Sequence, residues 1–477
     1  MMLNNRVSPG YQGDLSQNAV TIAEALKGHG YQNFMSGKWH VTSSARPKNE
    51  SGKYNWPLQR GFDKFYGTID GAGSFWDPSS LTRGNSFITP DNDPEYQPET
   101  YFYTDAITDN AIRFIEKRNS TKPFFLYLTY TAAHWPLHAH PRDIAKYKGF
   151  YDKGYDAIRR ARFKKAKELG VIDEHTPWTE TIGDWDKVEH KEWEIKCMEV
   201  YAAMVDNMDQ NIGKLVDSLK KEDVYNNTLI FYMQDNGGCQ ETFGRKTKKL
   251  KPKRAPYGKN EFQEKIVPAH ARSGEPVRMG PKAMPGPADT YVAYGENWAN
   301  VSNTPFRMYK HYVHEGGIST PLIAHWPAGI KNTGRIAKSP AHLIDIMATC
   351  VDVSNANFPK TYKGKSIKAM EGTSLVPLFE GQSLEPRTLM FEHQGNRAIR
   401  INDWKLVAKG RHNQDDVKWE LYDLSKDRSE TNDLSLKQPE RVKEMKRLWN
   451  SEAERVLIKP WPQKGQGKKN KKKIKRK

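Results

Sequence analysis

Along the first two-thirds of the chain, apolar positions switch between helical spacing and short unbroken runs. Asn18 to Gly30 carries Ile22, Ala23 and Leu26 at helical spacing, with Gly28 and Gly30 as stops. Tyr31 to Met35 then reads as a strand that delivers Gly37-Lys38-Trp39-His40. Tyr103 to Arg118 is a second amphipathic helix, with Ile107, Ala111, Phe114 and Ile115 on one side. It runs into Pro123 to Tyr130, an almost continuous apolar stretch of the kind that forms a buried parallel strand. A third helix, about Glu199 to Leu219, repeats Val200, Met204, Met208, Ile212 and Leu215 and leads to a strand over Thr228 to Met233. Pro321 to Trp326 reads as another strand, and His342 to Val351 as another helix.

Helix-to-buried-strand order repeated in this way predicts an α/β fold: a largely parallel central sheet with helices on both faces. Two long segments interrupt it. Residues about 141–195 are charged and Trp-containing and read as a lid or inserted helical hairpin. Residues about 241–303 are rich in Gly, Pro and Lys without periodicity, and loops that long inside a domain are usually functional or disordered. From about Leu389 the pattern changes to short strands (Leu389 to Phe391, Ala398 to Ile401, Trp404 to Val407, Trp419 to Tyr422) and a helix over Gln438 to Val456. These predict a small C-terminal antiparallel sheet with a helix. The expected division is a catalytic α/β domain over 1–385, an α+β subdomain over 386–460 and a basic tail over 461–477.

Composition supports a real core. Of 477 residues, 37% are hydrophobic and 11% aromatic, which excludes wholesale disorder. No apolar run is long enough to span a membrane, and the first residues lack the succession of a signal peptide. Cys197, Cys239 and Cys350 are widely spaced and odd in number, so they build neither a disulfide framework nor a thiolate metal site. The net charge of +18 comes partly from nine basic residues and no acid between Lys464 and Lys477. That tail is expected to stay solvated, with polyanion contact as its functional reading. A second cationic stretch, Arg245 to Arg254, follows closely on Asp235 and favours an anionic substrate by electrostatic steering.

The chemistry gathers at strand ends. Phe231 to Met233 ends in Gln234 and then Asp235-Asn236-Gly237-Gly238. Asp235 can give a hard divalent cation one or two oxygens and Asn236 one more, while the glycines let the backbone turn and approach a ligand. The same four residues are also an ordinary turn sequence. Three further motifs accompany them: Gly37-Lys38-Trp39-His40, Thr131 to His138 with His134, and Thr304 to Gly317 with Lys310. Taken singly, Lys38 is a solvated charge, His40 and His134 are polar loop residues, and His138, His140, His311 and His314 are structural or rim residues. Cys239 reads as a small packed residue. Together, two protonated lysines, histidines that titrate near neutrality and a hard-cation pair fit a site for a tetrahedral oxyanion ester.

This constellation resembles the type I sulfatases, in their arylsulfatase branch, over about residues 10 to 435. The resemblance implies the alkaline-phosphatase-like fold and a sulfuric ester hydrolase that uses Ca²⁺ and a formylglycine nucleophile. On it, Asp235 and Asn236 are the second half of the calcium site, and Lys38 and Lys310 hold the sulfate. His40 positions the nucleophile, and His134 contacts the sulfate and aids the leaving group. Substrates would be sulfated small molecules or sulfated polysaccharides, and the intact family member would be periplasmic or extracellular.

The pattern also departs from that family. Its Cys-X-Pro-Ser-Arg element, source of the formylglycine, is matched by none of the three cysteines, and Ser8-Pro9-Gly10 is no substitute. The family's aspartate pair after a first strand has no counterpart either. The expectation is a sequence lacking its N-terminal nucleophile segment, inactive as written, with one flank of the pocket open. Two rivals stand beside it: a phosphodiesterase or phosphonate hydrolase of the same superfamily, and a non-catalytic polyanion-binding protein.

Overall fold

The computed structural model describes residues 9–43, 45–248, 250–252, 254–410 and 417–458; the tail assigned to 461–477 lies outside the described residues. A capping box opens α1 (Ile22–Lys27): Thr21 Oγ1 accepts from the Glu24 N–H at 3.0 Å, and the Glu24 carboxylate accepts from the Thr21 N–H at 2.9 Å. This cap explains why the helix starts at Ile22 and not at Asn18. Ala23 and Leu26 are buried, whereas Ile22, expected to pack, is half-exposed.

The next element, β1 (Gln32–Lys38), is an interior strand of a five-stranded sheet. Its side chains alternate between two covered faces. Asn33 donates to Ala23 O at 3.0 Å and Met35 clusters with Ala23, whereas Phe34 meets Phe114 at 5.9 Å and Ser36 donates to Ile107 O at 2.6 Å. On one side follow β2 (Lys64–Thr68), β3 (Leu81–Arg83) and β4 (Ser86–Phe87); then α2 (Tyr103–Glu116) crosses the Phe34 face, and β5 (Phe124–Thr129) lies on the other side of β1. Both β2 and β5 run parallel to β1, while β3 and β4 extend the sheet antiparallel, so the sheet is mixed. The expected strand at Pro123 to Tyr130 is present but not fully buried: it is a sheet edge, half-covered throughout, with Tyr127 45% exposed.

The segment expected as an insertion folds as α3 (Pro141–Ala145), α4 (Gly154–Glu168) and the first turns of α5 (Lys191–Lys221). Asp105 on α2 ties these together, accepting from Asn207 at 3.0 Å and Asn211 at 2.7 Å and pairing with His140 at 2.9 Å. The chain continues through β6 (Ile230–Met233), α6 (Gly295–Ser302), α7 (Glu315–Ile318) and β7 (Leu322–His325). Here the structure differs from a single parallel sheet, because β6 pairs antiparallel with β7 as a separate two-stranded sheet. An apolar run announces a strand; it does not encode which partner the strand takes or in which direction.

After α8 (Ile344–Val353), a short hairpin of β8 (Thr361–Tyr362) and β9 (Lys365–Ser366), and α9 (Val376–Phe379), comes the expected antiparallel sheet. It orders β10 (Thr388–His393), β11 (Asn396–Ile401), β12 (Trp404–Ala408) and β13 (Trp419–Asp423) consecutively. The last helix, α10 (Pro439–Arg455), covers it through Met445, Trp449 and Ala453 on Ile399, Leu406 and Leu421. Among the described residues no helix is long and apolar enough to cross a membrane.

Candidate functional site

Lys38 is the last residue of β1, where Lys38 O accepts from Thr129 Oγ1 at 2.9 Å and the Trp39 N–H reaches Thr68 O at 2.9 Å. The next residue but one, His40, has a left-handed backbone (φ 49°), and its ring lies against Gly71, where an added Cβ would come within 2.1 Å of it. Only glycine leaves that space. Asp235 and Asn236 follow β6, with Asp235 exposed and Asn236 half-buried.

Backbone hydrogen bonds stitch this turn to the Lys310 loop. The Lys310 N–H donates to Gly238 O at 3.0 Å and the Gly237 N–H to Gly317 O at 3.0 Å. Asn303, just after α6, accepts from the Gly238 N–H at 2.8 Å and donates to Met308 O at 3.0 Å and Gly316 O at 2.9 Å. Gly237 is needed for the approach, since a Cβ there would lie 1.8 Å from Gly316 O.

The side chains converge. Lys310, 6% exposed, sends its Nζ to His134 Nε2 at 3.3 Å, to Glu241 Oε1 at 3.2 Å and toward Cys239 Sγ at 3.8 Å. His134 donates from Nδ1 to Trp135 O at 2.9 Å, which leaves the Nε2 lone pair for Lys310. Burial and then the Lys310 charge push the His134 imidazole down to about 4; burial, with Lys38 and Lys310 adding, does the same to His40. Both rings are therefore neutral at pH 7. Burial lowers the Lys38 ammonium, with the Asp235 carboxylate opposing that shift and Lys310 adding to it. Among the sequence-predicted residues, Lys310 contacts His134, the Lys38 and Lys310 charges act on both imidazoles, and the Asp235 charge acts on Lys38 and His40. Asn236, the sixth, turns its Nδ2 to Gly237 O at 2.9 Å.

Two more residues line the space: Cys239, read from the sequence as a small packed residue, and Glu241, which was not singled out. Cys239 sits beside Lys310, but burial pushes its thiol up to about 11, so it is neutral and no nucleophile at pH 7. Glu241 touches Lys310, His311 and Trp135. Its signal was present: it is the only acid between Asp235 and Glu261, inside an otherwise cationic run. His311 joins the site through Glu241 at 3.2 Å, whereas His138 (to Thr290 O, 2.7 Å), His140 (to Asp105) and His314 (to Glu420, 3.2 Å) are structural. In the cationic stretch, Arg245 is committed to Glu194, Ala293 O and Tyr294 O and Arg254 to Glu261, while Lys246, Lys248 and Lys251 are exposed.

His134, Cys239 and Glu241 present ligand atoms within 4.8 Å of one another. The Lys310 ammonium already lies among them, so the group is a lysine cradle. Asp235 and Asn236 offer at most about three oxygens, against the roughly six to eight that Ca²⁺ takes. Among the described residues that pair is a half-site.

This chain belongs to the sulfatase family. The Sulfatase family model matches residues 1–356, and the model for the N-sulphoglucosamine sulphohydrolase C-terminal region matches residues 306–455. An uncharacterized sulfatase of Schizosaccharomyces pombe is 29% identical over 462 residues, covering 92% of this chain and 78% of that protein. An arylsulfatase of Klebsiella aerogenes is 29% identical over 379 residues, covering 77% and 74%. A solved structure of a protein in complex with its substrate, D-glucosamine-2-N,6-O-disulfate, shares the fold with a TM-score of 0.56 at 19% identity, covering 93% of this chain and 83% of that one.

Proposed function

We propose that this protein binds a sulfate monoester of the arylsulfatase type, from a sulfated small molecule or sulfated carbohydrate, with its oxyanion held between Lys38 and Lys310. The observation that carries this is the contact of Lys310 Nζ with His134 Nε2 at 3.3 Å, in a space that Lys38 and Asp235 also reach electrostatically. Two ammonium groups neutralise the sulfate oxygens. His134, fixed by Trp135 O, accepts at Nε2 from the Lys310 ammonium and so holds that ammonium in place for the ester oxygens. His40 is held neutral beside Lys38 as an orienting group. Asp235 and Asn236 would contribute their oxygens to a Ca²⁺, which would supply Lewis-acid neutralisation of the sulfate. Formylglycine does not fit the described residues: Cys197 is in the core, Cys350 is pushed up to about 12 by burial, Cys239 to about 11, and none lies in the required motif. For this chain we therefore derive binding of the ester and no cleavage step.

Calorimetric titration with 4-nitrophenyl sulfate tests this. One site is expected, weakened about tenfold to hundredfold by Lys310→Ala, the worth of one charged hydrogen bond. Preferential binding of bis(4-nitrophenyl) phosphate, with release of nitrophenol from it, would contradict the reading and favour the phosphodiesterase rival.

A further inference from the structure

The cradle around the Lys310 ammonium is also a set of metal ligands. Its Nζ lies 3.3 Å from His134 Nε2, 3.2 Å from Glu241 Oε1 and 3.8 Å from Cys239 Sγ. One imidazole nitrogen, one carboxylate oxygen and one sulfur thus share a centre, with ligand atoms within 4.8 Å of one another. Around a tetrahedral Zn²⁺ such atoms stand about 3.3–3.8 Å apart, so a contraction of about 1 Å closes them on the ion. Hard cations do not suit this set. Ca²⁺ and Mg²⁺ take oxygen ligands, of the kind Asp235 and Asn236 offer, whereas a thiolate beside an imidazole selects zinc and its chemical neighbours.

Each ligand is already held from behind. His134 Nδ1 donates to Trp135 O at 2.9 Å, which fixes the tautomer and leaves the Nε2 lone pair to the centre. Glu241 Oε2 accepts from Trp135 Nε1, and Oε1 accepts from His311 Nε2 at 3.2 Å, so the carboxylate keeps two donors when Lys310 leaves. The Cys239 N–H donates to the Tyr294 hydroxyl at 3.1 Å. Among the described residues, the Lys310 Nζ bonds only to the three cradle groups, so nothing else holds the ammonium there.

We propose that His134, Cys239 and Glu241 form a binding site for Zn²⁺ or a chemically similar ion, which the Lys310 ammonium fills in the metal-free protein, so that metal and ammonium exclude each other. On binding, the Cys239 thiol gives its proton to solvent, and the ion takes Nε2, Sγ and Oε1 as ligands with a water as the fourth. Lys310 keeps its proton and moves aside, and no oxidation state changes. The metal site goes beyond the ester reading and stands without it. Only its consequence rests on that reading: with Lys310 displaced, the sulfate loses one of its two ammonium partners, and the metal acts as a reversible brake on ester binding.

The test uses Co²⁺ as a coloured substitute for Zn²⁺, titrated at pH 7.5 into the full chain and the variants Cys239→Ala and Lys310→Met. The unmodified protein should bind one Co²⁺ with a thiolate-to-metal charge-transfer band. Cys239→Ala should lose the band and bind at least about a hundredfold more weakly, beyond the cost of losing an outer-shell partner. Lys310→Met should bind about tenfold to hundredfold more tightly, because the charged hydrogen bonds of the ammonium no longer have to be broken. No thiolate band in the unmodified protein, or a band that survives in Cys239→Ala, would overturn the site; equal affinity in Lys310→Met would overturn the exclusion. Calorimetry with methyl sulfate then separates the two readings. Saturating Zn²⁺ should weaken its binding about tenfold or more, the worth of one charged hydrogen bond. Binding unchanged by Zn²⁺ but weakened by Lys310→Met without metal would overturn the brake. Binding unaffected by Lys310→Met without metal would sink the ester reading, while the cobalt spectra decide the metal site independently.

Discussion

His138 shows how burial outweighs opposing groups in setting a titration, here the hydrogen bond to Thr290 and the Asp289 charge. Its ring is fully covered, its Nε2–H donates to Thr290 O at 2.7 Å, and Nδ1 accepts from the Phe75 N–H at 3.3 Å. Burial pushes it down from 6.5 to about 4. The unfolded chain therefore binds the proton more readily, and stability from this group is complete above about pH 6.5 and drains as pH falls toward 4. The amount is on the order of 3 kcal/mol. His138→Gln keeps an acceptor and a donor and does not titrate, so urea unfolding at pH 7.5 and 4.5 should show a smaller loss in the variant. Equal losses in both proteins would contradict the assignment. At this scale the sequence pointed to the proposed oxyanion ligands, since Lys38, His134 and Lys310 each sit in a short motif after a strand or in a loop. It did not single out Glu241, whose partners Trp135, Lys310 and His311 lie on two loops distant from it in sequence, and it read Cys239 as a small packed residue without its neighbour Lys310, 71 positions away.

At the scale of elements, the turn after β6 and the loop before α7 act as one unit. Gly237→Ala should force the two apart, since its Cβ would meet Gly316 O at 1.8 Å. Overpacking of that kind costs about 1–3 kcal/mol. Thermal unfolding should show the loss, and sulfate affinity should fall because Lys310 hangs from Gly238 O. A variant unchanged in both measurements would mean that the turn does not position Lys310. Most helices and strands were legible from periodicity, because each buries one face in a way its own residues report. The pairing of β6 with β7 was not legible, nor was the edge position of β5, because a strand's partner is chosen by chain segments far from it. The short strands β3 and β4 were missed because their pattern is too brief to carry a period, and β2 because its Lys64-Phe65-Tyr66-Gly67-Thr68 holds only two apolar residues, side by side.

Across the whole molecule, the C-terminal sheet clamps the loop that carries Lys310. Lys405 on β12, fully buried, pairs with Glu315 of α7 at 2.7 Å and with Glu430 at 2.9 Å. Arg307 reaches Glu420 at 3.2 Å, and His311 O accepts from His393 at 3.1 Å and Asn396 at 2.8 Å. Lys405→Met would leave Glu430 buried without its cation and Glu315 with only Arg428, 3.8 Å away, at a cost of about 3–5 kcal/mol. Replacing Glu315 and Glu430 by apolar residues as well should restore most of that stability, because it is the unpaired charge and not the missing contact that is costly. Chemical denaturation of the single and triple variants would decide between these, and a triple variant no better than the single one would contradict the account. The central claim, one oxyanion site shared by β1, the turn after β6 and the Lys310 loop, has a direct test. Crystals soaked in selenate, a tetrahedral dianion with an anomalous signal, should show a selenium peak bridging Lys38 and Lys310, with its oxygens within about 3 Å of both Nζ atoms, beside His134. A peak elsewhere, or none between these residues at saturating selenate, would contradict it.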